Sequence, residues 1–254
     1  MKSEDIGRMV NHLDYLGFPK THEQEIKDKI SSDPGKFEID GKVKFPNYAK
    51  EKDMDYTIYF KKFERQDMYH PYMYRAEFEG EQRSQMFRIV EDAAFTTRDA
   101  FNLLNGRAVH KMVIDHSDRK MKPFWFKLDL SAKDVHGNYP VNRISVPAHE
   151  LVIATQLEKQ NVEEMKNPLK RVNIILSLYQ GNTEAVTIPR QSGKETVYAM
   201  VDPLQKSVRL YSGEGKEIDK AKSMSHDRVK DQPVKSTLTL DHDLRIRKRK
   251  GKSL

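Results

Sequence analysis

The densest chemistry in this sequence lies near its C-terminal end, where Arg245, Arg247, Lys248, Arg249, Lys250 and Lys252 place six cations within eight positions. A run of that density neutralises consecutive phosphates and releases their counterions, which points to nucleic-acid binding with a steep salt dependence. Such a segment needs no preformed groove to condense onto a polyanion. The competing reading is a solubilising tail with no dedicated partner. Just before the run, Thr237, Leu238, Thr239 and Leu240 alternate as a short strand or docking element would.

A second constellation pairs aromatic with basic residues. Trp125 with Lys127, and Tyr198 with Arg209 on a neighbouring strand, would stack unpaired bases if one sheet face carrying them were open. Packing of those rings under helices is the plainer expectation. His110, Asp115, His116 and Asp118, with His136 in a separate loop, are the best material for metal or acid–base chemistry. No His pair has helical ligand spacing, and Asp-His-Ser-Asp also describes an ordinary solvated hairpin. Gly213 and Gly215 in SGEGKE lack the spacing and following helix of a phosphate loop, and no Ser stands in a nucleophile elbow. The sequence therefore predicts no enzyme, no metal and no cofactor.

These residues must be positioned by a 254-residue chain, long enough for one large or two small domains. Its net charge of +7 is unevenly placed: Lys216 to Leu254 holds 12 Lys+Arg against 6 Asp+Glu, leaving 33 against 32 for the rest. The body is almost neutral. With no Cys, disulfides and thiolate chemistry are excluded. The opening MKSEDIGRMVNHLDYLGF carries acids where an export signal needs an apolar stretch, and no segment approaches the roughly 20 apolar residues of a membrane span. A cytoplasmic, non-membrane protein is expected.

Helical spacing opens the chain, with Ile6, Met9, Val10, Leu13 and Leu16 on one face and Gly17 as the stop. A second helix is expected from Thr21, where Thr21 and Gln24 have capping-box spacing, and Asp33, Pro34 and Gly35 end it. Alternation then predicts strands through Tyr56–Phe60, Tyr72–Phe78 and Met86–Val90, the first two separated by FERQDMYHP, which is too long for a tight turn. Between Glu91 and Thr97 the pattern changes to a helix with Thr97 as N-cap, Phe101 and Leu104 buried, and Asn105-Gly106 closing it. Two strands follow, the second with Phe124, Phe126, Leu128 and Leu130 inward and Trp125 on the polar face. A helix is predicted from about Pro147 to Lys159. Another has Asn167 as cap, Pro168 in its first turn, an apolar face of Leu169, Val172, Leu176 and Tyr179, and Gly181 as the stop. Strands around Ala185–Ile188, Glu195–Val201 and Ser207–Tyr211 complete the body. A weak internal repeat of helix, Gly, strand, turn and strand is visible in LLNGRAVHKMVI with KPFWFKLDL and in LYQGNTEAVTI with KETVYAMV.

The expected fold is α+β, with antiparallel sheets packed by short helices in two small subdomains, and with a disordered basic C-terminal tail. The divisions fall at 1–92, 93–215 and 216–254.

The ordered segments YTIYF, DMYHPYMYRAEF, AFNLLNGRAVHK, WFKLDLSAKDVHGNYPV and TVYAMVDPLQKSVRLYS, with RKRKGKSL at the end, resemble a domain-of-unknown-function family common on conjugative and other mobile elements of Bacteroidetes. The resemblance covers roughly Asp55 to Tyr211 plus the terminal basic motif. The His149–Leu157 segment departs from the more aromatic, acidic stretch of that pattern. It implies a genetic neighbourhood of DNA mobilisation with topoisomerase-like genes, a protein partner from a conjugation or DNA-processing system, and no established activity. The expectation is a non-enzymatic accessory protein that binds DNA through its basic tail. The alternative is a protein-interaction adaptor or inhibitor module whose tail only aids solubility.

Overall fold

In the computed structural model, residues 3–63, 67–89, 94–115, 117–147, 149–190 and 193–218 are described. The apolar stripe from Ile6 to Leu16 forms the buried side of α1 (Ser3–Tyr15), and Gly17, at φ 90°, takes the left-handed conformation that ends it. α2 (Glu23–Ser31) follows a 3-10 turn at Lys20–His22. The expected capping box does not form, because Thr21 is already inside that turn. His22 is the cap, without a side-chain bond, and Gln24 Nε2 donates instead to Asp28 at 2.9 Å.

Four strands then make an antiparallel meander: β1 (Lys36–Asn47), β2 (Lys50–Phe63), β3 (Met68–Phe78) and β4 (Arg83–Arg88). β2 and β3 run further than their apolar cores suggest, to a pairing of Phe63 with Met68, so FERQDMYHP is largely strand and its connection is short. Pro71 lies within the ladder at a register shift between Tyr59 and Phe60, the bulge that a residue without an N–H requires. The two-residue turn Tyr48–Ala49 joins β1 to β2, with Tyr48 at φ 55°.

Next come α3 (Thr97–Leu104) and the meander β5 (Val109–Asp115), β6 (Lys120–Leu128) and β7 (Val141–Ile144). Thr96, not Thr97, is the N-cap, in a reciprocal box with Asp99, while the Thr97 hydroxyl donates to the Gly17 carbonyl. α4 (Ile153–Lys159) starts later than expected, and Glu150 N donates to the Pro147 carbonyl at 2.9 Å ahead of it. α5 (Pro168–Tyr179) begins on the Asn167 side chain, which accepts from Lys170 N at 3.1 Å, and ends before Gly181 at φ 80°. A third meander, β8 (Glu184–Arg190), β9 (Gly193–Asp202) and β10 (Ser207–Tyr211), closes the body. The fold is α+β, built from antiparallel sheets and short helices. Among the described residues no helix is long and apolar enough to cross a membrane.

The chain divides into a compact unit, Met1–Ile218, and a second, Asp219–Leu254, which lies outside the described residues. Two hydrophobic clusters fill the first unit. One joins α1, α2 and the four-stranded sheet to Phe101, Leu104, Val109, Val113, Phe126 and Leu128; the other joins Trp125 to α4, α5 and the third sheet. The β5–β6–β7 sheet thus gives one face to each cluster.

α5 is apolar on two sides, and the side expected to face inward is outside. Ile174 and Leu178 are buried, whereas Leu169, Val172 and Leu176 are exposed, Leu169 to 79%. Tyr179 is the one member of the expected stripe that packs inward.

Candidate functional site

The six basic residues Arg245, Arg247, Lys248, Arg249, Lys250 and Lys252, and the alternation from Thr237 to Leu240, lie outside the described residues. The remaining candidates can be placed. Trp125, expected on the polar face, is only 3% exposed: its strand neighbours Phe126 and Leu128 feed one cluster while its indole feeds the other. Tyr179 stacks on it with ring centres 5.6 Å apart, and His110 meets it edge-on at 5.1 Å. No face is left for a base. Lys127 lies two residues along the same strand, half-buried.

Tyr198 and Arg209 belong to a different sheet. Arg209 is held by Asp202 at 3.0 Å and Glu217 at 2.9 Å, and Tyr198 packs edge-on against Tyr48. The four residues therefore do not share one surface. A two-sided strand is invisible to alternation when both of its faces are covered.

His110 and Asp115 stand on opposite faces of β5. His110 packs against both Trp125 and Tyr179, where burial lowers its pKa. Asp115 accepts from Lys122, Ser117 N and Ser117 Oγ, and these bonds hold its carboxyl well below the usual carboxylate range. Asp118 pairs with the same Lys122 at 2.8 Å. This is the arrangement of an ordinary charged hairpin. His136 is exposed in a turn organised by Asp134, and His116 lies outside the described residues. Among the described residues no group of three metal-ligating side chains converges.

A buried cation in the body was not visible in the sequence. Arg107 is 2% exposed and has no carboxylate partner among the described residues. Its Nη1 donates to Asn102 Oδ1 at 2.9 Å and its Nη2 to Asn47 Oδ1, while Nε is buried without a partner. The guanidinium lies 5.5 Å from the Tyr48 ring centre and 5.7 Å from that of Phe101. Burial brings its pKa down to about 10, with Tyr48 opposing the shift.

A polar chain leads on from it. The fully buried Asn102 donates to the Gln180 carbonyl at 2.8 Å and to Asn182 Oδ1 at 2.9 Å; Asn182 donates to Ser177, whose hydroxyl donates to Glu184. Tyr48 extends the cluster to Tyr198 and Tyr211. Close approach is built into the backbone here, since a Cβ at Gly215 would lie 2.9 Å from the Tyr48 ring and one at Gly181 would lie 2.5 Å from the Ala108 carbonyl. The cluster ties the β1–β2 turn, α3, the end of α5 and the third sheet together. Two amide oxygens and two ring faces meet the cation, so the arrangement clamps amide groups from separate elements. The nearest signal for it was Asn105-Gly106-Arg107, a cation directly after a helix stop.

Comparison of the chain with protein-family models, with curated proteins and with solved structures finds no match in any of the three.

Proposed function

We propose that this is a non-enzymatic accessory protein that attaches to nucleic acid, DNA first, through its C-terminal basic run. The carrying observation is the placement of charge. Residues from Lys216 onward hold 12 Lys+Arg against 6 Asp+Glu, whereas the remainder is balanced at 33 against 32. Many cations of the body are also engaged locally: Lys42 with Asp55, Lys52 with Glu81, Lys122 with Asp115 and Asp118, Arg209 with Asp202 and Glu217. A sequence-independent, salt-sensitive attachment therefore belongs to the tail, and the choice of partner to the body. The setting on a mobile element, with a partner from conjugation or DNA processing, rests on the family resemblance of the segments between Asp55 and Tyr211. The two subdomains are proposed as two cores sharing the β5–β6–β7 sheet.

Replacing the six basic residues from Arg245 to Lys252 by Gln tests the reading. Fluorescence anisotropy with single- and double-stranded DNA should show binding by the native chain and its loss in the variant. Equal binding by both overturns it.

A second reading, an adaptor whose tail only solubilises, is favoured by the outer side of α5. Leu169, Val172 and Leu176 form an exposed apolar stripe there, with the exposed Lys166 and Lys170 beside its first turn. That combination suits an acidic amphipathic segment of another protein. Purification under nuclease treatment separates the two: a stoichiometric protein that survives nuclease and is lost on Leu169→Glu supports the adaptor.

A further inference from the structure

β5 is the outer strand of its sheet, and no strand pairs with its free edge among the described residues. Outside the β5–β6 ladder, no hydrogen bond among them reaches the backbone of His110 to Ile114. Such an edge is a template for another strand, and proteins usually blunt it with proline, a bulge or isolated charges. β5 has neither proline nor bulge. Instead it exposes Met112 to 51% and Ile114 to 37% on one face, and their ladder neighbours across to β6 are Pro123 and Met121, the latter 56% exposed.

We infer that β5 pairs antiparallel with β5 of a second copy of this chain, about a two-fold axis at Val113. The sequence of the strand selects both the occupant and the register. With Val113 opposite its own copy, Lys111 faces Asp115 of the other chain, twice by symmetry, and Met112 faces Ile114, also twice. Moving the axis to Met112 sets Lys111 opposite Val113. Moving it to Ile114 sets Asp115 opposite Val113. Only the central register joins opposite charges and continues the apolar rows, so that Met121, Ile114, Met112 and Pro123 run across the join from one hairpin to the other.

Lys111 can take the added contact. Its ammonium pairs with Asp99 at 2.6 Å and donates to the Ala94 carbonyl at 2.7 Å, and of its three N–H groups one remains for the incoming carboxylate. The two three-stranded sheets become one of six strands, and the β5 edge of each disappears. A dimer of this kind would also present two basic tails to one nucleic acid, though the pairing stands without that role.

Sedimentation velocity of the full chain over a concentration series should show a monomer–dimer equilibrium. Ile114→Lys, at an exposed position, should shift it to monomer while leaving the far-ultraviolet circular dichroism unchanged, and the melting midpoint unchanged at concentrations where the native chain is itself monomeric. The register is read by cross-linking, because the chain has no cysteine of its own. A mixture of Met112→Cys and Ile114→Cys chains should oxidise to a mixed disulfide dimer well in excess of what either variant forms alone. A chain that stays monomeric at its highest soluble concentration overturns the inference. So does a dimer that persists in Ile114→Lys, or one without preferential mixed cross-linking.

Discussion

Arg107 and Asn102 are joined twice. The Arg107 backbone N–H donates to the Asn102 carbonyl at 2.9 Å, and the Arg107 guanidinium donates to the Asn102 side-chain oxygen at the same distance. The first bond closes α3; the second turns the cation towards Asn47 at the tip of the β1–β2 hairpin. One side chain thus couples a helix end, a hairpin turn and, through Asn102, the residues that follow α5.

Arg107→Ala removes the donor from two side-chain amide oxygens, the one on Asn102 fully buried. The expected loss is about 2–4 kcal/mol, since each unsatisfied polar group costs about 1–3 kcal/mol. Urea unfolding should show a lower midpoint at unchanged slope. Arg107→Lys, which keeps the charge but cannot span both amides, should recover less than half of the loss.

Gly181 and Gly137 both adopt positive φ, 80° and 81°, yet only Gly181 lies against backbone. Gly137→Ala should cost about 1 kcal/mol, the ordinary penalty of a left-handed residue. Gly181→Ala adds a clash with the Ala108 carbonyl and should cost at least about 2 kcal/mol more. Equal midpoints for the two variants in thermal or urea unfolding would remove the close approach from the account.

Burial lowers the pKa of His110 below its usual 6.5. The folded chain therefore binds fewer protons than the unfolded chain between the lowered value and 6.5. The associated stability is fully present above 6.5 and is lost as pH falls through the folded value. His110→Phe keeps an aromatic ring against Trp125 and Tyr179 and removes the titration. Its unfolding midpoint should fall less on acidification than that of the native chain, with a small difference at neutral pH.

Trp125, the single tryptophan, reports on the second core. Its fluorescence should be blue-shifted, inaccessible to iodide and unaltered by added DNA. Iodide quenching comparable to that of free tryptophan would contradict its burial under Tyr179.

Much of the fold was legible where a single face is buried. The α1 stripe, the Asn167–Pro168 start of α5 and the glycine stops at Gly17, Gly106 and Gly181 are local signals that the tertiary structure leaves intact. β1 was missed because charged residues alternate along its outer face and Gly41 interrupts the inner one, where the Tyr56 ring takes the place of a side chain. The errors at α5 and Trp125 share one cause. Both elements are apolar on two sides, and periodicity does not say which side meets a neighbour. The Arg107 cluster was illegible for another reason: Asn47, Asn102, Arg107 and Asn182 are scattered polar residues that only packing brings together.

The central claim is that attachment to nucleic acid belongs to the tail and not to the body, and the salt dependence of DNA binding tests it most directly. The comparison chain should end at Ile218, because Ile218 N donates to the Leu210 carbonyl at 2.8 Å and its side chain packs against the second core. Six neutralised phosphates predict that the logarithm of the binding constant of the full chain falls against the logarithm of salt concentration with a slope of about −5. The shortened chain should show no measurable binding at moderate salt. Equal affinity and equal slope for the two chains would contradict the account.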